Sequence, residues 1–225
     1  MPDPATLLLF AAASATLLVV PGPTIALVVA RSLGEGRRVA LPLVLGVGLG
    51  DLTAASVALA GAGALLAASA AAFTAVKLLG AAYLVWLGVR LFLAEPRAPA
   101  ADIGGEGVGA EGAGAKGTSA RGTGAWGAFR DGFLVTVFNP KGILFFVAFV
   151  PQFIRPEASY AGQASVFVLA FTALGILNGT LYALGADALR SAIRSPGVLR
   201  WMNRAGGVAI AGAGVAALFA RRPAV

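Results

Sequence analysis

Residues Phe133–Ile154 read FLVTVFNPKGILFFVAFVPQFI. The stretch is apolar almost throughout, and at 1.5 Å of rise per residue it is long enough to cross a hydrocarbon core of roughly 30 Å. Yet Asn139-Pro140-Lys141-Gly142 stands near its middle. A proline there removes a helix hydrogen bond and clashes with the preceding turn. A lysine at bilayer depth costs roughly 3 kcal/mol or more unless it is paired or hydrated. A segment that served only as an anchor would have no use for either. A second interruption of the same kind, Pro21-Gly22-Pro23-Thr24, breaks the first apolar run of the chain.

The composition around these breaks is that of an all-α integral membrane protein. Of 225 residues, 58% are hydrophobic and 12% charged, and the mean hydropathy is +0.85. Soluble domains carry about 25% charged residues. The net charge of +7 does not point to nucleic acid, because the basic residues lie at the ends of apolar runs. The chain has no cysteine and no histidine. That excludes thiol redox relays, haem ligation and metal sites built on those ligands, and no cofactor or metal is expected. Proton chemistry must then use carboxylates, lysine, tyrosine or water. No cleavable signal peptide is evident, since Asp3 stands where a basic region would and the first apolar run continues past Pro23.

Six apolar segments are expected, over 5–29, 39–66, 71–93, 129–154, 161–189 and a short one over 205–220. Twelve of the basic residues fall in, or just inside the segment ends that border, the connections between segments one and two, three and four, and five and six. The positive-inside pattern places those connections in the cytoplasm and both termini outside, which Arg221 and Arg222 fit poorly. Residues 95–126 are of different material, rich in Gly and Ala and poor in large apolar side chains. They are expected to form a flexible cytoplasmic linker between two halves, 1–94 and 127–225.

The halves repeat. Gly80, Gly88, Val89 and Ala94 match Gly206, Gly214, Val215 and Ala220; Gly48-x-x-Asp51 matches Gly175-x-x-Asn178; Val20-Pro21 matches Asn139-Pro140. With an odd number of segments per half, the second copy enters the membrane upside down. The expected fold is therefore six transmembrane helices as two inverted three-helix repeats, an arrangement of many secondary transporters whose site lies at the repeat interface.

Candidate site residues follow from the polar groups at depth. The carbonyls freed at Pro21, Gly22, Pro23 and Thr24, and the N–H groups of the half-helix that follows, suit the charged ends of a small molecule, although a packing kink would leave the same trace. Asp51, flanked by Gly46, Gly48 and Gly50, is an intramembrane carboxylate that could hold an ammonium group, carry a proton, or form a structural ion pair with Lys77. Lys141 could hold a carboxylate or be satisfied by carbonyls at the break. Asn139 is suited to cap a half-helix whose first residue is Pro140. Asn178 needs a partner at depth, and Tyr182 could line a pathway. Tyr83, Trp86, Trp126, Tyr160 and Trp201 fit an interfacial belt. Glycine-rich helix faces suit close contacts within one chain or across a homodimer.

These residues resemble the LysE/RhtB amino-acid exporters. The resemblance is carried by Pro21-Gly22-Pro23 with Arg31-Ser32 and Gly34-x-Gly36; by Gly46-x-x-x-Gly50-Asp51; by Lys77-x-x-Gly80-Ala81-Ala82-Tyr83-Leu84-x-x-Leu87-Gly88; by Gly132-Phe133-Leu134 and Asn139-Pro140-Lys141; and by Phe149-x-Pro151-Gln152-Phe153. The family often has Asn where Thr136 stands and Ala where Gly142 stands. The resemblance implies an exporter of amino acids or close derivatives in the bacterial inner membrane, driven by the proton motive force. Joined to the residue reading, it gives a zwitterion held between the two breaks, with Lys141 or helix N–H groups on its carboxylate and Asp51 on its ammonium or on a proton. A metal-cation exporter and a non-transporting membrane subunit are the alternatives. A membrane enzyme is not expected, because no nucleophile–base pair or carboxylate cluster is visible.

Overall fold

A computed structural model of the chain describes residues 2–20, 22–95, 124–155 and 158–219, with the backbone alone at 37, 187–194 and 196. Among the described residues it is all-helical. The helices are α1 (Pro4–Val19), α2 (Pro23–Glu35), α3 (Arg37–Ala68), α4 (Ala70–Leu93), α5 (Gly124–Val137), α6 (Pro140–Ala148), α7 (Tyr160–Arg194) and α8 (Pro196–Phe219), with a 3-10 turn at Val150–Phe153. Four of them, α3, α4, α7 and α8, are long and apolar enough to cross a membrane alone. The pair α1–α2 bends by 57° and the pair α5–α6 with its 3-10 turn by 44°, and each pair passes as one broken span, giving up to six. The sixth segment is longer than its hydropathy suggests. α8 begins at Pro196, because the polar turn through Trp201, Asn203 and Arg204 is helical as well. Helix α5 begins at Gly124, so the end of the stretch read as a linker is helical, with Trp126 stacked on Phe129. Residues 96–123 and Pro21 lie outside the described residues.

Local chemistry sets where the helices start. Asp3 caps α1 by accepting from the Thr6 N–H at 2.9 Å, with Pro4 as first residue. Ser69 caps α4 through the Ala72 N–H at 3.2 Å. Asn139 caps α6 by accepting from the Lys141 N–H at 3.1 Å, and Pro140 opens that helix. Gly36 turns the chain from α2 into α3 at φ 74°, a left-handed backbone that a side chain would resist.

The spans then pack through glycines. On the α3–α5 seam a Cβ at Gly132 would sit 2.5 Å from the Leu43 carbonyl oxygen. On the α4–α8 seam a Cβ at Gly88 would sit 2.5 Å from the Gly207 carbonyl oxygen. Such seams bring backbones together where the surrounding medium is as apolar as the side chains and burial alone gives little drive. Leucine, valine and aromatic side chains face outward instead, among them Leu79, Leu93, Trp126, Trp201 and Phe219, as a lipid-facing surface requires.

Two large apolar cores divide the interior, beside a small cluster of Ala62, Leu66 and Phe73. One holds seven phenylalanine rings, Phe10, Phe145, Phe146, Phe149, Phe153, Phe167 and Phe171, linked edge to face and tilted, with Phe10 and Phe167 4.8 Å apart. The other is aliphatic, built on Ile25, Val28, Val29, Leu43, Val44 and Val47. Beyond the aromatic core, Arg155 pairs with Asp3, and the buried Gln163 ties the same loop by donating to the carbonyls of Arg155 and Ala158 at 2.8 and 3.2 Å. Beyond the aliphatic core, buried Arg31 joins Glu35 on its own helix to Asp131 on α5, the latter at 2.6 Å. Residues of both cores line the cavity that holds Asp51 and Lys141.

Candidate functional site

The site begins with a helix, α1, that stops at Val19 inside the bundle. The final carbonyls of α1 have no intrahelical partner, and a bilayer offers no water to replace one. The structure supplies partners from the other half of the chain. Lys141 Nζ donates to the Leu17 carbonyl at 3.0 Å and to the Val20 carbonyl at 3.2 Å. Asn178 Nδ2 donates to the Leu18 carbonyl at 3.1 Å. Tyr182 Oη donates to the Val19 carbonyl at 2.9 Å. Four consecutive carbonyls are thus satisfied by three side chains from α6 and α7. The ammonium also sits at the negative end of the α1 dipole, where a cation gains roughly 0.3–2 kcal/mol.

The second half of the first break meets the second break. Thr24, in the first turn of α2, lies 3.4 Å from Asn139 Nδ2 and 3.5 Å from Thr136 Oγ1. Gly22, ahead of α2, offers no side-chain cap to that helix. A Cβ at Gly22 would lie 3.4 Å from Lys141 Nζ, so the glycine leaves clearance for the ammonium.

Between the breaks is a cavity of about 40 Å³. Gly22, Thr24, Asp51, Asn139, Lys141 and Asn178, all singled out from sequence, line it together. Pro23 and Pro140 are first residues of their half-helices and do not line it. Asp51 comes from α3 and packs against Gly175 of α7, where any Cβ would collide with its Oδ2. Among the described residues its carboxylate accepts no direct hydrogen bond and forms no ion pair within 4 Å. The cation that shares its cavity is Lys141. The pairing of Asp51 with Lys77, one of the roles the sequence left open, is not among the ion pairs of the described residues. Lys77 is buried on α4, whose packing partners are α8 and α6, and it does not line the cavity.

Sequence reading missed the apolar wall and the role of Gly175. Leu17, Ile25, Val47, Ala55, Phe146 and Phe171 close the cavity, and nothing in their types separates them from other core residues. Tyr182 acts by holding the end of α1, and it does not line the cavity. Tyr182→Phe should lower stability by about 1 kcal/mol, the scale of an interhelical hydrogen bond in a membrane. Unfolding in mixed micelles of SDS and mild detergent measures this, and an unchanged midpoint would mean that the Val19 carbonyl finds another donor.

The arrangement is a small chamber lined by one carboxylate, one ammonium and residues of two broken helices, suited to a small molecule with charged ends. The profile of the LysE type translocator family matches residues 15–221. The chain is 32% identical over 160 residues to a leucine efflux protein of Salmonella typhimurium, covering 69% of this chain and 66% of that one. It is 30% identical over 174 residues to an uncharacterized membrane protein of Pseudomonas aeruginosa, covering 75% and 70%. An uncharacterized membrane protein of Bacillus subtilis is 24% identical over 172 residues, covering 76% and 79%. No solved structure matches the chain.

Proposed function

The chain belongs to the LysE type translocator family, and from that premise we propose that it exports neutral aliphatic amino acids across the bacterial inner membrane by proton antiport. The observation that carries this reading is the Asp51 carboxylate, without a direct partner among the described residues, in one cavity with Lys141 between two helix breaks. One anionic and one cationic group match the two ends of a zwitterion. A divalent metal cation would call for a cage of oxygen ligands. The remaining wall, with Leu17, Ile25, Val47, Phe146 and Phe171, suits an apolar side chain and offers no second charge for a basic or acidic one. A relative named for leucine efflux supports the same class.

In this reading the two halves are inverted repeats that rock about the cavity. Support comes from the meeting of matched positions there, Asp51 with Asn178, and Gly22 with Lys141, which follow the matched Val20-Pro21 and Asn139-Pro140 at the same spacing. The basic end of the bundle faces the cytoplasm. Asp51 alternates between the substrate ammonium and a proton, and so couples export to proton entry. The test is efflux from proteoliposomes loaded with a panel of labelled amino acids under an imposed proton gradient. Leucine and its aliphatic neighbours should leave at least about tenfold faster than from protein-free vesicles, and an uncoupler should remove the gain. No accelerated efflux of any amino acid would overturn the reading.

A further inference from the structure

Resting on that reading of the site, we propose that Lys141 is a built-in stand-in for the substrate's ammonium: an amino acid enters by exchanging its own ammonium for the lysine's on the open carbonyls of α1. Of the four carbonyls at the end of that helix, Leu18 and Val19 are held by Asn178 and Tyr182, which carry no charge. Leu17 and Val20 are the pair left for a cation, and a single ammonium takes both, at 3.0 and 3.2 Å. Two carbonyls at a helix C-terminus suit any primary ammonium, which has three donors and no acceptor. Lys141 presents such a group on a tether, next to the carboxylate-bearing wall of Asp51.

The space supports an exchange. A cavity of about 40 Å³ holds roughly three water-sized probe spheres, which is far less than an amino acid needs. The lysine side chain must therefore withdraw when an amino acid arrives. The substrate's carboxylate supplies the force, because it offers Lys141 a charged partner in place of two neutral carbonyls. The substrate's ammonium then covers the carbonyls that Lys141 leaves, and its third N–H is left for Asp51, which lines the same cavity. No backbone group at the break loses a partner, and the net charge of the chamber is unchanged by a zwitterion.

Specificity follows from the same chemistry. A carboxamide brings an ammonium but nothing to draw Lys141 away, and it adds a second positive charge beside the first. An N-acyl derivative draws Lys141 off but leaves the Leu17 and Val20 carbonyls bare. Each half of the exchange fails alone, so the site demands both free ends on one molecule. The exchange also has a mechanical side. Lys141 ties α6 to α1, while Asn178 and Tyr182 tie α7 to α1, so the substrate releases the first tie and keeps the second.

The test uses the full chain in proteoliposomes with leucine, leucinamide and N-acetylleucine as probes. Wild type should move leucine and neither derivative. Lys141→Met should lose leucine movement by about 30-fold or more and move leucinamide at least about tenfold faster than wild type, because the vacated carbonyls accept the amine directly. Leucine movement within about threefold of wild type, or no gain for leucinamide, overturns the exchange. A second variant covers a failure of Lys141→Met to fold. The chain has no cysteine, so Lys141→Cys can be modified at that position alone. A reagent that adds an aminoethyl group should restore leucine movement and exclude leucinamide again, and one that adds a methyl group should do neither. Equal behaviour of the two adducts overturns the exchange. If wild type moves leucine and these variants do not switch preference, the exchange falls and the exporter reading stands. If wild type moves no amino acid, the exporter reading falls and takes the exchange with it.

Discussion

Asp51→Asn abolishes uphill efflux and leaves a folded protein. The expected loss is at least about 100-fold in gradient-driven transport, equivalent to about 2.7 kcal/mol. The substitution keeps the shape of the side chain and its contact with Gly175, and it removes only the charge and the ability to bind a proton. Folding survives because Asp51 is no one's hydrogen-bond partner among the described residues, while Lys141 remains held by the Leu17 and Val20 carbonyls. The buried cation is therefore not left bare, which is the usual source of a large penalty when one member of a buried pair is removed. Exchange of labelled for unlabelled leucine, with no gradient, separates the two roles of the carboxylate. If Asp51 serves only the proton, exchange persists in the variant. If it also holds the substrate ammonium, exchange is lost with efflux. Gradient-driven efflux at the wild-type rate, still sensitive to an uncoupler, would remove Asp51 from the coupling mechanism.

The largest effect on stability is expected at Gly46. A Cβ there would land on the carbonyl oxygen of Phe129, a backbone atom that cannot rotate aside. Nearby, Gly132 approaches the Leu43 carbonyl and Gly50 approaches the Phe133 carbonyl, at 2.5 and 2.9 Å from the Cβ positions. The α3–α5 seam can admit a methyl group only by separating along its length. Gly46→Ala should cost about 3 kcal/mol, the upper range for overpacking a close-packed interior. A substitution of the same chemistry on the same helix provides the contrast. A Cβ at Gly61 meets nothing within 4 Å, so Gly61→Ala should be neutral or stabilising by up to about 1 kcal/mol through helix propensity. Thermal unfolding in detergent, followed by monodispersity on a sizing column, measures both. Equal melting temperatures for the two variants would show that the seam has slack.

Much of this site was legible before any tertiary structure. The two breaks, the Asn139 cap, the mid-depth Asp51, Lys141 and Asn178, and the glycines beside Asp51 each leave a local mark. Proline, asparagine and charge in an apolar run violate the rules for a plain span wherever the rest of the chain lies. Partners left no such mark. Lys77 and Lys141 are both lysines in apolar segments, and either could serve Asp51 by residue type. Lys141 shares the cavity of Asp51 because α6 restarts at Pro140 against the end of α1, whereas α4 packs on α8 and α6 with Lys77 buried elsewhere.

The sequence by itself determined that the chain is helical and membrane-embedded, where two helices must stop at depth, and which polar groups had to be satisfied there. Those are local consequences of hydropathy, proline geometry and the cost of an unpaired polar group in lipid. Only the tertiary structure decided who satisfies whom: Lys141 on Leu17 and Val20, Asn178 on Leu18, Tyr182 on Val19, and Gly175 making room for Asp51. The reason is that such pairings depend on how each helix is rotated and how far it slides against its neighbour. In a chain with 31 glycines many rotations and registers would bring small faces together, and the choice among them is made by the packing of the whole bundle.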